Sequence, residues 1–171
     1  MTLFSGNTGV PESPLARALD IVIRVIEKEC ADHPRDPGGK TCYGVTFRDH
    51  PDLWENGEPT LAQARERLTQ AYWLPARCDM LPWPLALYVF DGAVNQGVEP
   101  AVKMLQQAAR MPQDGVLSNN ALVSISRAEQ QELGAVFMTR RVLRYTGTRN
   151  FDVFGPGWLK RLFIIASEAQ A

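Results

Sequence analysis

Glu27 and Asp36, two carboxylates nine residues apart, are the side chains whose type and spacing best suit chemistry in this chain. Glu27 closes an apolar stretch. Asp36 precedes Pro37-Gly38-Gly39, and a run of β-formers comes next, Thr41-Cys42-Tyr43-Gly44-Val45-Thr46. A carboxyl at the end of an apolar helix, facing a polar turn, fits cleavage of a glycosidic bond. One carboxyl must hold a proton near neutral pH and give it to the leaving sugar oxygen. Apolar surroundings raise a glutamate pKa in that direction. A second polar group must stabilise the cation-like sugar or hold the attacking water. Asp36 and Thr41 are the candidates for that task; as alternatives, Asp36 is a turn residue before Pro-Gly-Gly and Thr41 a plain strand residue.

These residues need a scaffold. Apolar positions Leu15, Leu19, Val22, Ile23 and Ile26 predict a buried helix from Leu15 to about Glu29, ended by Pro34 and Pro37. Residues 41–47 predict a short strand or hairpin arm. Thr60 with Gln63 reads as a capping box opening a helix through Trp73. The almost wholly apolar stretch 85–94 predicts a central helix broken at Asn95-Gln96-Gly97, with Pro100 in the first turn of the next. Asp114-Gly115 predicts a turn. Ser126 with Glu129 is expected to cap a long helix to about Tyr145, stopped by Gly147, and Pro156 to open the last one. The sum is a mainly α domain of about six helices with one small β element. Residues 1–14 read as an extension and 15–171 as one domain, with lobes at 15–83 and 84–171.

The order Glu27…Asp36-Pro-Gly-Gly-x-Thr41-x-Tyr43-Gly-Val-Thr46 resembles glycoside hydrolase family 108, phage endolysins and related N-acetylmuramidases. Ala71-Tyr72-Trp73, Cys78-Asp-x-Leu-Pro82, Phe90-Asp91-x-Ala-Val-Asn95-x-Gly97, Leu105-Gln106 with Asp114-Gly115, and Gly157-Trp158-x-x-Arg161 resemble further family segments in order. The spacing is also similar to the glutamate–aspartate–threonine trio of phage lysozymes, with Thr41 one residue short. The resemblance implies a lysozyme-like helical fold with a hairpin after the first long helix, and a C-terminal helical region associated with peptidoglycan. It implies hydrolysis of the β-1,4 bond between N-acetylmuramic acid and N-acetylglucosamine, with Glu27 as acid and Asp36 and Thr41 serving the cation and the water. Tyr43, Thr46, Trp73, Asp91, Asn95 and Gln96 are then candidates to line the sugar site, the alternatives being cross-strand packing for Tyr43 and Thr46, core burial for Trp73, and capping of the next helix by Asp91 or Asn95. The chain departs from the family where Lys28-Glu29-Cys30 replaces Gly-Gly-Tyr and Cys42 replaces Asn. Glu29 thereby competes with Glu27, but Glu27 continues the apolar side set by Ile23 and Ile26. The rival functions are a lytic transglycosylase and a non-catalytic peptidoglycan-binding or phage structural module.

Composition narrows the partners. A hydrophobic share of 45% and a charged share of 22% are those of a soluble globular protein. No apolar run approaches the ~20 residues of a membrane span, so stable insertion is not expected. The first residues show no signal-peptide pattern, which predicts retention in the cytoplasm where the chain is made; the resemblance to phage endolysins implies that this is a host cytoplasm, where it is held until a holin permeabilises the membrane. No metal or organic cofactor is implied, no nucleic-acid motif is present, and a monomer is expected. Cys30, Cys42 and Cys78 are expected to be reduced thiols, the alternative being a Cys30–Cys42 bridge. Between residues 127 and 161 seven bases face three acids, which suggests either a solvated helical face or attraction to an anionic cell wall.

Overall fold

The computed structural model describes residues 12–27, Cys30 and 39–171, the side chains of 25–27 excepted. Helix α1 spans Pro14–Asp20. Ser13 caps it by accepting the amide of Ala16, and Pro14 takes the first helical position, where its missing N–H costs nothing. The chain continues without a break into a π-helical stretch, Ile21–Glu27. The apolar periodicity therefore marks the helix correctly but hides the wider turn. Such turns are rare and favour functional sites; here the turn ends at the backbone of Glu27.

A two-stranded antiparallel hairpin comes next, β1 (Thr41–Cys42) and β2 (Val45–Thr46), with Thr41 opposite Thr46 and Cys42 opposite Val45. Tyr43 and Gly44 form its turn with φ of 51° and 84°. Positive φ at both positions matches the twist of a tight hairpin, and a tyrosine there is uncommon. Helix α2 (Leu61–Leu68) opens on the capping box: Gln63 Oε1 accepts the Thr60 amide at 2.9 Å, and Thr60 Oγ1 accepts the Gln63 amide at 3.3 Å. It runs into a second π-helical stretch, Thr69–Trp73.

Helix α3 (Leu85–Gln96) is buried continuously from Leu85 to Ala93 and is the axis of the core. It packs against α1, α4 (Val98–Ala108), α6 (Gln130–Thr146) and α7 (Phe151–Glu168). Gly92 lets α6 approach closely, since a Cβ there would stand 3.2 Å from the Phe137 ring.

Two sequence expectations fail in the C-terminal half. Ser126 does not cap the long helix. It lies inside an unanticipated helix, α5 (Asn119–Arg127), where its hydroxyl donates to the Val123 carbonyl at 2.9 Å. Ser118 caps α5, Ala128 turns extended, and Glu129 caps α6 by accepting the amides of Gln131 and Glu132. Nor does Pro156 open the last helix: α7 starts at Phe151 and carries Pro156 inside it, on an exposed face. The described chain is thus a mainly α, lysozyme-like domain of seven α-helices and one hairpin. None of its described helices is long and apolar enough to cross a membrane.

Candidate active site

The site begins at the C-terminal end of the first helical run. The backbone of Glu27 closes the π-helical stretch, while its side chain, Glu29 and Asp36 lie outside the described residues. Beyond the helix, Cys30 is tied to the hairpin by a disulfide with Cys42, the two Cα atoms 4.0 Å apart. This corrects the expectation of three reduced thiols. Compartment reasoning favours free cysteines, but it cannot see that the hairpin brings Cys42 back against the segment after the helix. Cys78 alone remains a thiol; it is buried, and burial pushes its pKa far up, which leaves it inert. The bridge closes the sequence loop between Cys30 and Cys42 and ties β1 to the end of the first helical run. By the chain-entropy account, closing a loop of that size stabilises the fold by about 3 kcal/mol.

Thr41, Tyr43 and Thr46 sit together on the hairpin and are half-buried, so each keeps surface for a ligand. Thr46 Oγ1 donates to Asp49 Oδ2 at 2.8 Å and accepts the Asp49 amide at 3.2 Å. Arg48 completes the turn at 3.0 Å from Asp49; that hydrogen bond, against a smaller opposing effect of burial, holds the Asp49 carboxyl below its ordinary pKa.

Directly after the hairpin stands a cluster that sequence reasoning missed. His50 is buried, its amide donates to the Thr46 carbonyl at 3.1 Å, and its Nε2 lies 2.8 Å from the Tyr72 hydroxyl. Its Nδ1 lies 3.2 Å from Arg67 Nη1. Arginine can only donate, so Nδ1 accepts and the ring proton sits on Nε2, donated to Tyr72. Arg67 also pairs with Asp52. Burial, and then the charge of Arg67, hold the His50 pKa below its ordinary value. The cluster therefore clamps the hairpin to α2 and the second π-helical stretch through a neutral imidazole. The only sequence signal was that His50 is one of two histidines and Tyr72 stands in the Ala-Tyr-Trp segment.

The remaining candidates gather elsewhere. Trp73 is 2% exposed and meets the Phe90 ring edge-on at 5.3 Å, so it belongs to the core and offers no face to a sugar. Asp91 is fully buried on α3. Its Oδ2 meets Arg141 Nη1 at 2.7 Å and its Oδ1 meets Arg161 at 2.8 and 2.9 Å. Both residues are corrected from sugar contacts to framework, because both side chains are buried and held by core partners. Gln96 Oε1 accepts Arg141 Nε at 2.9 Å, and Asn95 Oδ1 accepts the Tyr145 hydroxyl, whose ring stacks on Trp158 at 5.0 Å. Asn95 is nevertheless exposed and Gln96 half-buried, so their amides keep a solvent side. The two sequence segments Phe90-Asp91…Asn95-Gln96-Gly97 and Gly157-Trp158-x-x-Arg161 thus meet over Arg141, which explains their joint occurrence. The same network corrects the basic segment: Arg141 and Arg161 are spent internally, leaving five bases against three acids between residues 127 and 161.

Among the described residues one trio could approach a metal, Cys30, Cys42 and Glu58, but both sulfurs are bound to each other. The oxidised pair has no thiolate to offer a metal.

A helical run ending at Glu27, a disulfide and a polar hairpin, set on an α-helical core, are the frame of a lysozyme-like fold. The glycosyl hydrolase 108 family model matches residues 22–97. The match runs from the first helical stretch past the hairpin to the end of α3. Among solved structures, one titled "Structure of Brucella abortus SagA" superposes with a TM-score of 0.80 at 28% identity, covering 91% of this chain and 93% of that one. No curated protein matches the sequence.

Proposed function

We propose that this chain is an N-acetylmuramidase that hydrolyses the β-1,4 bond between N-acetylmuramic acid and N-acetylglucosamine, with Glu27 as general acid. The observation that carries the reading is the position of Glu27 at the end of a π-helical stretch, within the family match and next to a disulfide-tied loop and hairpin. Glu27 gives its proton to the glycosidic oxygen as the bond breaks. Asp36 faces the positive charge that develops on the sugar, and Thr41 holds the water that completes hydrolysis. Tyr43 and Thr46, half-buried on the hairpin, line the sugar path; Asn95 and Gln96 offer amides at the far end of α3. The biological role in this reading is that of a phage endolysin. It acts as a monomer on host peptidoglycan, held in the host cytoplasm until a holin opens the membrane.

Glu27→Gln tests the assignment. The amide matches the carboxyl in shape but has no acidic proton to give, so turnover of purified cell walls is expected to fall about 10²–10⁴-fold with the fold intact. Retained activity in Glu27→Gln together with a dead Glu29→Gln would move the acid to Glu29.

A further inference from the structure

We propose that the Cys30–Cys42 bridge is a thiol-exchange site through which the surrounding redox state sets activity, high with the bridge closed and low with it open. The control of turnover rests on the muramidase reading; the exchange chemistry does not. The bridge joins the two parts of the proposed site. Cys30 follows Glu27 by three residues, and Cys42 is on β1 beside Thr41, in the hairpin that also carries Tyr43 and Thr46. The hairpin has a separate hold on the rest of the fold, since His50 directly after it meets Tyr72 at 2.8 Å and Arg67 at 3.2 Å. Opening the bridge therefore leaves the hairpin on α2 and the second π-helical stretch but removes its covalent tie to the end of the first helical run. A displacement of about 1 Å between an acid and the groups that position its substrate costs up to roughly 100-fold in rate. One bond at this place is enough to control turnover.

The two cysteines differ in access, which fixes the route of exchange. Cys30 is exposed and Cys42 fully buried. A small-molecule thiolate attacks Cys30 Sγ and forms a new S–S bond there as the Cys30–Cys42 bond breaks. Cys42 leaves with the electron pair and takes a proton from water. A second thiolate attacks the outer sulfur of the mixed disulfide and releases Cys30. Two outside thiols are thus oxidised to one disulfide while the bridge is reduced to two thiols. Cys78 is no competitor, being buried and held protonated. Glu58 sets how readily the bridge opens. Its exposed carboxylate lies within 4.8 Å of both sulfurs, and a negative charge there repels the incoming thiolate and disfavours the departing one. Glu58 thereby raises the thiol concentration needed to open the bridge.

The test takes the full chain with its bridge closed, treats it with reduced glutathione, and then restores the bridge with oxidised glutathione. Turnover of purified peptidoglycan is expected to fall about 10- to 100-fold on reduction and to return on reoxidation. Hydrogen exchange should show the hairpin amides losing protection while those of α3 keep theirs. Mass spectrometry of the trapped intermediate should find glutathione on Cys30, and Glu58→Gln should speed the opening about 3- to 10-fold. Glutathione on Cys42 would overturn the assigned exchange site, and an unchanged opening rate the role of Glu58. Loss of protection in α3 as well would make the bridge a staple of the whole fold and overturn the switch, as would an unchanged hairpin. Looser hairpin amides without turnover in either form would sink the muramidase reading alone, and equal turnover of the open and closed forms the switch alone.

Discussion

Replacing Asp91 with Asn isolates what the buried charge network does. Asp91 and Arg141 are both fully buried, and Arg161 is 10% exposed. The carboxylate uses one oxygen on Arg141 and the other on Arg161, joining α3, α6 and α7 at one point. Asn keeps the shape but removes the charge, leaving the Arg141 guanidinium buried without its counter-charge and weakening the hold on Arg161. Breaking a buried pair in this way costs about 3–5 kcal/mol. At roughly 2–4 °C per kcal/mol for a chain of this size, the melting temperature should fall by about 6–20 °C. Urea unfolding and thermal melts give the stability, and turnover per folded molecule on soluble glycan gives the function. The expected outcome is a large loss of stability with KM unchanged. A loss under about 1 kcal/mol, or full stability with a raised KM, would refute the framework role and restore Asp91 to the sugar site. The network also fixes the direction of the pH dependence. Burial by itself would raise the Asp91 pKa, but Arg161 and Arg141 outweigh it and hold it below the ordinary 3.8. The stabilisation is therefore present above that value and lost as pH falls through the lower folded value, so the gap between wild type and Asp91→Asn should close only in strong acid.

The disulfide and the imidazole clamp give two further tests. Titration of the denatured, unreduced protein should find one thiol, Cys78, and reduction should cost about 3 kcal/mol of stability; three thiols would contradict the bridge. Because burial and Arg67 hold the His50 pKa down, its contribution is complete above the ordinary 6.5 and fades as pH falls below it. Stability should thus decline on the acid side of about pH 6.5 in the wild type and less so in His50→Gln, followed by melts across about pH 5 to 8. Parallel profiles for the two proteins would show that the Arg67–His50–Tyr72 clamp does not depend on a neutral ring.

Much of the helical frame is legible in the sequence, because periodicity and capping act over a few residues. The capping box at Thr60, the apolar helix from Leu85 and the hairpin arm at residues 41–47 are local in this sense, and the structure contains each. Errors came where a local signal had a competitor. Ser126-x-x-Glu129 looks like a capping box, yet Ser118 starts a helix earlier and Glu129 does the capping itself. Pro156 suggests a helix start, but Asn150 precedes one that tolerates the proline on its exposed side. Long-range pairings were not legible. Cys30 with Cys42 depends on how the hairpin folds back. Asp91 with Arg141 and Arg161 depends on three helices meeting, fifty residues of chain or more between partners. The π-helical turns leave no periodic trace, since a single wider turn does not change which residues are apolar.

The most direct test of the central claim is the chemistry of the products. Purified peptidoglycan digested with the protein should yield fragments ending in reducing N-acetylmuramic acid, each one water heavier than the corresponding anhydro form, and Glu27→Gln should release almost none. Fragments ending in anhydro-muramic acid would show ring closure without water, reducing N-acetylglucosamine ends would place the cut at the other bond, and no release at all would contradict the enzyme.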